Sequence, residues 1–287
     1  MQYSHIPQII GMFVIPLLIV LVPLYIGQYY GILHAKKLSE LQHTPVGTVV
    51  GTAFGLLAFM LAFTFQISST RYDERKALLL EEVTNIRTTY LRAGLIPEAY
   101  RYNVKKQLVE YVDLRLDLSK DNNKLDYVLS RSQQILDNFW NLAETLAVQD
   151  RSSEAYALFT TSVNDLVDNY NQRVTMTIEY RIPAAIIWVL SVIAFLSMLV
   201  LGYQFGISGK GSFIINLLLA FVFALVMFLI LALNRPETGI AKLNQKPMLT
   251  LQKQLHGKLI IDSNQKVGSS QNNAHSNSEK TESLIVK

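Results

Sequence analysis

Four apolar stretches restrict this chain to a small set of folds. They run from about Ile9 to Ile32, Val46 to Ile67, Ile182 to Tyr203 and Phe213 to Leu233. Each approaches the roughly 20 residues that a helix needs to cross about 30 Å of hydrocarbon. Inside a bilayer the backbone must satisfy its own hydrogen bonds, so spans of this kind are helical. No Lys or Arg precedes the first stretch, it exceeds a signal-peptide core in length, and no clear small-residue cleavage site follows it. It is therefore expected to remain as a span. The expected fold class is an all-α membrane protein: four transmembrane helices, with a helical cytoplasmic domain inserted between spans two and three.

Charge supports this layout. Only 17% of the residues are charged and half are hydrophobic, which is poor in charge for a soluble domain. An even number of spans puts both termini and the long middle segment on one side. Arg71, Arg75, Lys76, Arg173, Arg181, Arg235, Lys242 and Lys246 flank the membrane there, against Lys36, Lys37 and Lys210 on the other side. The positive-inside rule then makes the termini and residues 70–180 cytoplasmic, in a multi-pass protein of the inner (plasma) membrane. The resulting division is 1–69 for spans one and two, 70–180 for the cytoplasmic domain and 181–234 for spans three and four. Residues 235–262 form a cytoplasmic segment, and 263–287 are too polar to bury a core and are expected to be disordered.

Span one carries Pro16 and Pro23 on one face and is expected to bend. Span two is expected to continue into the cytoplasm as one helix, because no Gly or Pro interrupts it before Gly94 and Pro97. Helices are expected from about Glu98, from about 123 to 148, and from Ser152-Ser153-Glu154 toward the membrane, giving a four-helix layer with a core of its own. After Leu233 a loop leads to a short amphipathic stretch.

Span two holds the patterned chemistry. At about 100° per residue, Thr48, Thr52, Gly55, Phe59, Phe63, Gln66 and Thr70 fall within roughly 80° on one side of the helix. The stripe is polar at both ends and aromatic between, and polar groups are wasted on lipid, so this face can line a pore. Phe59 and Phe63 would form a hydrophobic constriction that gates by dewetting, and their positive ring edges suit a passing anion. Val50, Phe54, Leu57 and Leu61 lie opposite, facing lipid or an apolar neighbour. Gly47, Gly51 and Gly55 repeat at four-residue spacing, which allows close helix packing within the chain or between subunits.

Other chemistry is thin. With no cysteine, disulfides, thiolate metal sites and cysteine catalysis are excluded. The histidines match no zinc spacing, and no phosphate loop, dinucleotide fingerprint or nucleophile elbow is present. No enzyme activity, metal or cofactor is therefore expected. No Lys/Arg cluster with interleaved aromatics points to nucleic acid. Asp113, Asp117 and Asp121 share a helix face, but Arg115 and Lys120 beside them favour a mixed solvated surface over a cation site, and Glu81-Glu82 forms a second acidic pair. Asn216 in span four is expected to hydrogen-bond another helix.

The stretch from Phe54 to Arg92 resembles the second-helix region of bacterial bestrophin-type channels, where a pore helix runs into a long cytoplasmic helix. Over about residues 10–250 the chain resembles the bacterial bestrophin-like membrane family. The matching motifs are Arg71, Asp73 and Arg75; Glu81, Glu82 and Ile86; Tyr90, Leu91 and Arg92; and Arg235, Pro236 and Gly239. The resemblance implies a bestrophin-like fold and an oligomeric ion channel, pentameric and anion-selective by analogy, with Gly55, Phe59 and Phe63 at the neck. Its partners would be the lipid bilayer, copies of itself and inorganic ions, anions before cations. The tryptophan pair of typical bestrophins is absent, with Arg71-Tyr72 in its place, and no acidic calcium clasp is evident. The residues leave a second reading open: a non-conducting membrane protein whose cytoplasmic bundle senses a signal or binds a partner.

Overall fold

A computed structural model describes residues 6–35, 46–120, 124–178, 182–209, 212–234 and 242–263. Every regular element among them is helical: α1 (Ile6–Ala35), α2 (Val46–Arg92), α3 (Glu98–Lys120), α4 (Leu125–Gln149), α5 (Glu154–Ile178), α6 (Ala184–Ser208), α7 (Phe213–Asn234) and α8, residues 246–263. Helices α1, α2, α6 and α7 are long and apolar enough to cross a membrane. The 47 residues of α2 exceed any span by about twofold. This is the uninterrupted helix that the lack of Gly and Pro predicts. The chain divides into two compact units, and α2 contributes to both, changing unit after Lys76.

The membrane unit contains α1, α6, α7 and the first part of α2. Its core is Val20 and Leu24 of α1, Leu57 and Leu61 of α2, Leu190, Ala194 and Met198 of α6, and Ala220, Met227 and Ile230 of α7, with Val50 and Phe54 packed against it. The apolar side of span two therefore faces neighbours from its own chain.

The closest contact joins α1 and α6. A Cβ on Gly27 would strike the Leu199 carbonyl, and one on Gly31 the Tyr203 carbonyl. Reciprocally, a Cβ on Gly202 would strike the Leu24 carbonyl, and one on Gly206 the Gln28 carbonyl. Two small-xxx-small pairs, Gly27/Gly31 and Gly202/Gly206, thus bring the backbones together in the way membrane helices use when no hydrophobic drive separates them from lipid. Pro16 and Pro23 lie on this buried face too, and α1 stays helical through both. Asn216, buried in α7, donates from Nδ2 to Gln28 Oε1 at 3.0 Å, the interhelical use its position in a span predicts. Gly209 ends α6 in the left-handed conformation at φ 65°, a backbone setting that glycine adopts without strain.

The second unit contains the rest of α2 with α3, α4, α5 and α8. Apolar residues at helical spacing build its core, among them Ile86, Leu108, Tyr111, Val112, Ile135, Phe139, Phe159 and Leu166. The C-terminal amphipathic stretch joins it as α8, burying Met248, Leu251 and Leu255. Ser153 accepts the Tyr156 N–H and opens α5, as a helix-starting serine should.

Candidate functional site

The stripe on α2 is exposed along its full length. Thr48, Thr52, Gly55, Phe59, Phe63, Gln66 and Thr70 all lie on the surface of the subunit. Phe59 is 64% exposed and Phe63 51%. Their rings stack on each other, centroids 6.3 Å apart and planes 11° from parallel. Thr52 Oγ1 donates to the Thr48 carbonyl at 3.0 Å, and Gln66 Nε2 to Thr70 Oγ1 at 3.3 Å. The hydroxyl of Thr52 and the amide of Gln66 are therefore bonded within α2.

The α2 glycines share this openness. Nothing lies near a Cβ built on Gly51 or Gly55, and one built on Gly47 would meet the side chain of Gln204 at an ordinary 3.6 Å. The opposite face is closed. Leu57, Leu61, Thr64 and Ser68 are buried, and the Thr64 and Ser68 hydroxyls donate to the carbonyls of Met60 and Thr64.

The motif residues after span two separate into buried and exposed members. Arg75 is buried and donates from Nη2 to the Leu233 carbonyl at 2.7 Å and from Nε to the Arg71 carbonyl at 3.1 Å. Arg71 pairs with Glu74 at 3.3 Å and reaches the Met176 sulfur. Asp73 and Glu81 are exposed. Arg92 donates to the Leu158 carbonyl at 2.9 Å. Tyr90 is buried, and its hydroxyl lies 3.5 Å from Asp262, which accepts a 2.7 Å bond from Lys105. Burial, then the Asp262 charge, push the Tyr90 hydroxyl up to about 12. Arg235, Pro236 and Gly239 lie outside the described residues.

Glu82 corrects the reading of an acidic surface pair. It is fully buried, and it ties three helices of the second unit together. Tyr111 donates its hydroxyl to Oε1 at 2.9 Å, Arg115 donates to both carboxylate oxygens at 3.0 and 3.4 Å, and Arg173 Nε stands 3.3 Å away. Burial raises the Glu82 pKa, and the two guanidiniums with the Arg115 and Tyr111 hydrogen bonds outweigh it, so the carboxyl sits below its ordinary value. Burial also pushes the Tyr111 hydroxyl up, with the Glu82 charge adding to it. Arg115, expected on a solvated surface, is an internal counter-ion instead. Its partner is 33 positions away in sequence, so spacing alone gives no signal of the pair.

The aspartate face of α3 is engaged as well. Asp113 accepts from Gln252 of α8 at 2.7 Å and lies 3.1 and 3.2 Å from His256 Nε2. Asp117 is 3.9 Å from Lys124, and Asp121 lies outside the described residues. Among the described residues, no group of His, Asp and Glu is arranged to hold a metal. Sequence reasoning also missed the α1–α6 glycines, although the runs GQYYG and GYQFG carry the same spacing that drew attention to span two.

Comparison with known proteins agrees with this architecture. Residues 17–248 match the family described as Bestrophin-like domain. A crystal structure of a bacterial bestrophin homologue from Klebsiella pneumoniae is similar with a TM-score of 0.57 and 17% identity, covering 88% of this chain and 97% of that one. A variant of the same homologue gives a TM-score of 0.60 at 18% identity over 90% and 97% of the two chains. Another crystal structure, described as a membrane protein, gives 0.60 at 17% identity over 88% and 98%. Identities this low establish a common fold. No curated protein sequence matches the chain.

Proposed function

Because this chain belongs to the bestrophin-like family, we propose that it forms an oligomeric ion channel with one α2 from each subunit lining the pore. The observation that carries the reading is the stripe: a helix in the membrane unit buries its apolar face against its own chain and leaves a polar-aromatic-polar face without a partner. Lipid is a poor neighbour for Thr48, Thr52, Gln66 and Thr70, since polar groups in spans turn toward other helices or water. A ring of α2 copies gives that face a lumen, and the open Gly51 and Gly55 edge suits close approach between subunits.

In this reading the Phe59 and Phe63 rings form the narrowest, dewetting section. Anions are the favoured cargo, because the edges of the aromatic rings on the stripe are positive. Five subunits follow by analogy with the family. The second unit and both termini lie in the cytoplasm of the inner membrane, on the side where the basic residues Arg71, Arg75 and Lys76 cluster.

Ion flux in reconstituted vesicles tests the proposal. Replacing both Phe59 and Phe63 with alanine should raise or deregulate flux, because the constriction loses its rings. Absence of current from the wild type and the variant alike would overturn it.

A further inference from the structure

We infer that Arg75 is the positioning residue that fixes the rotation of α2, and so decides which face of that helix is turned away from the membrane unit's core. The inference rests on the pore reading of α2 and deepens it.

The last carbonyls of a helix have no partner within it, and the helix C-terminus carries a partial negative charge. Helix α7 ends at Leu233 and Asn234. Arg75, a residue only 8% exposed, meets that end, placing Nη2 2.7 Å from the Leu233 carbonyl and Nε 3.1 Å from the Arg71 carbonyl of its own helix. One side chain thereby ties α2 to α7 by a charge-assisted bond. Asn234 secures the same end to the start of α6, its Oδ1 accepting the Ile182 N–H at 3.1 Å. The end of α7 is thus held from both sides.

The angular position of Arg75 gives the tie its consequence. At about 100° per residue, Arg75 falls within roughly 40° of Leu57, Leu61, Thr64 and Ser68, the buried face. It lies roughly 120° to 180° from Phe63, Phe59 and Gln66. Leucine contacts are apolar and weakly directional, and the Thr64 and Ser68 hydroxyls are spent on α2's own carbonyls. The neutral bond from Ser197 Oγ to the Ala53 carbonyl adds one directional contact on this side. The charge-assisted tie from Arg75 to the end of α7 resists a turn of the helix more strongly. Sequence reading assigned Arg75 to a motif and to the basic fringe of the membrane; the structure assigns it this mechanical task.

The chain has no cysteine, so introduced ones report alone. Two readouts in full-length protein in vesicles test the inference. The first is disulfide formation in the pair Ala53→Cys and Ser197→Cys, sites joined by a 3.3 Å bond from Ser197 Oγ to the Ala53 carbonyl. The second is labelling by a membrane-impermeant thiol reagent of single cysteines placed at Phe63 or at Leu61. With Arg75 intact, the pair cross-links, and Phe63→Cys labels while Leu61→Cys does not. Arg75→Gln should lower the cross-linking rate roughly tenfold, the size expected when a charge-assisted hydrogen bond is lost, and Leu61→Cys should begin to label. Arg75→Lys keeps one charge without the fork and should fall between. Asn234→Ala, which cuts only the α6 tie, should leave both readouts unchanged. Unaltered cross-linking and labelling in Arg75→Gln would overturn the inference. A Phe63→Cys that fails to label with Arg75 intact would instead count against the pore, and the cross-linking readout would still decide the role of Arg75. Should Arg75→Gln not assemble, Arg75→Lys decides on the same readouts.

Discussion

The same glycine spacing occurs in two settings in the membrane unit. Along α1 and α6, Gly27, Gly31, Gly202 and Gly206 sit so close to the opposing backbone that no side chain fits. Along α2, Gly51 and Gly55 face open space. A small-residue motif states only that an approach is possible. Whether the approach occurs inside the chain depends on what else the helix carries. The α1 glycines share their face with buried Pro16, Val20 and Leu24, so packing and close approach point the same way. The α2 glycines adjoin an exposed stripe, while the burial of that helix is directed to the other side through Leu57 and Leu61. The first seam is finished within one subunit. The second edge is left for something else.

The same contrast between closed and open positions is found in neighbouring charges, and there the largest effect is expected. Glu82 is buried against Arg115 and Arg173, while Glu81 beside it is exposed. Glu82→Gln removes the buried carboxylate charge that Arg115 and Arg173 share and should cost about 3–5 kcal/mol, the range for breaking a buried pair by removing one partner. Glu81→Gln should stay within about 0.5 kcal/mol, as surface changes do. Denaturant unfolding of the two variants in detergent measures the difference. The pH dependence has a definite sign. The folded-state pKa of Glu82 is lowered from 4.5, so its contribution is present above that value and is lost as pH falls through the lowered one. Wild-type stability should therefore drop in acid more steeply than that of Glu82→Gln.

The glycine comparison comes next in size. A Cβ on Gly202 meets the Leu24 carbonyl and the Gln28 backbone nitrogen, neither of which can yield without moving a helix. Gly202→Ala should cost about 3 kcal/mol, at the upper end of typical overpacking. In Gly55→Ala the new methyl meets nothing inside the subunit, and alanine is the better helix former, so the subunit should gain roughly 0.5–1 kcal/mol. Thermal unfolding in detergent reads both. Equal losses at the two positions would erase the distinction between a closed seam and an open edge.

Much of this fold was legible in the sequence, for identifiable reasons. Span positions follow from hydropathy, which depends on local composition. The continuity of α2 follows from the absence of Gly and Pro between Ile67 and Arg92. The stripe follows from helical periodicity, and its exposure agrees with a face that does not pack inside the chain. What could not be read were pairings set by tertiary structure. The link from Glu82 to Arg115 and Arg173 joins three helices, and no spacing rule connects them. Asp113 looked solvated because its partners, Gln252 and His256, come from α8, a stretch far along the chain. The Gly27/Gly31 and Gly202/Gly206 pairs were visible as spacing, but only coordinates match one pair with the other.

The central claim is that the unpartnered face of α2 lines a pore built by several copies of the chain. Single-particle imaging of the purified assembly tests it most directly, by counting subunits and locating α2. The account predicts a closed ring, five subunits by family analogy, around a central hole whose narrowest section is bounded by Phe59 and Phe63. A monomer or dimer, or a ring with the Thr48–Thr70 stripe on its lipid-facing perimeter, would contradict it.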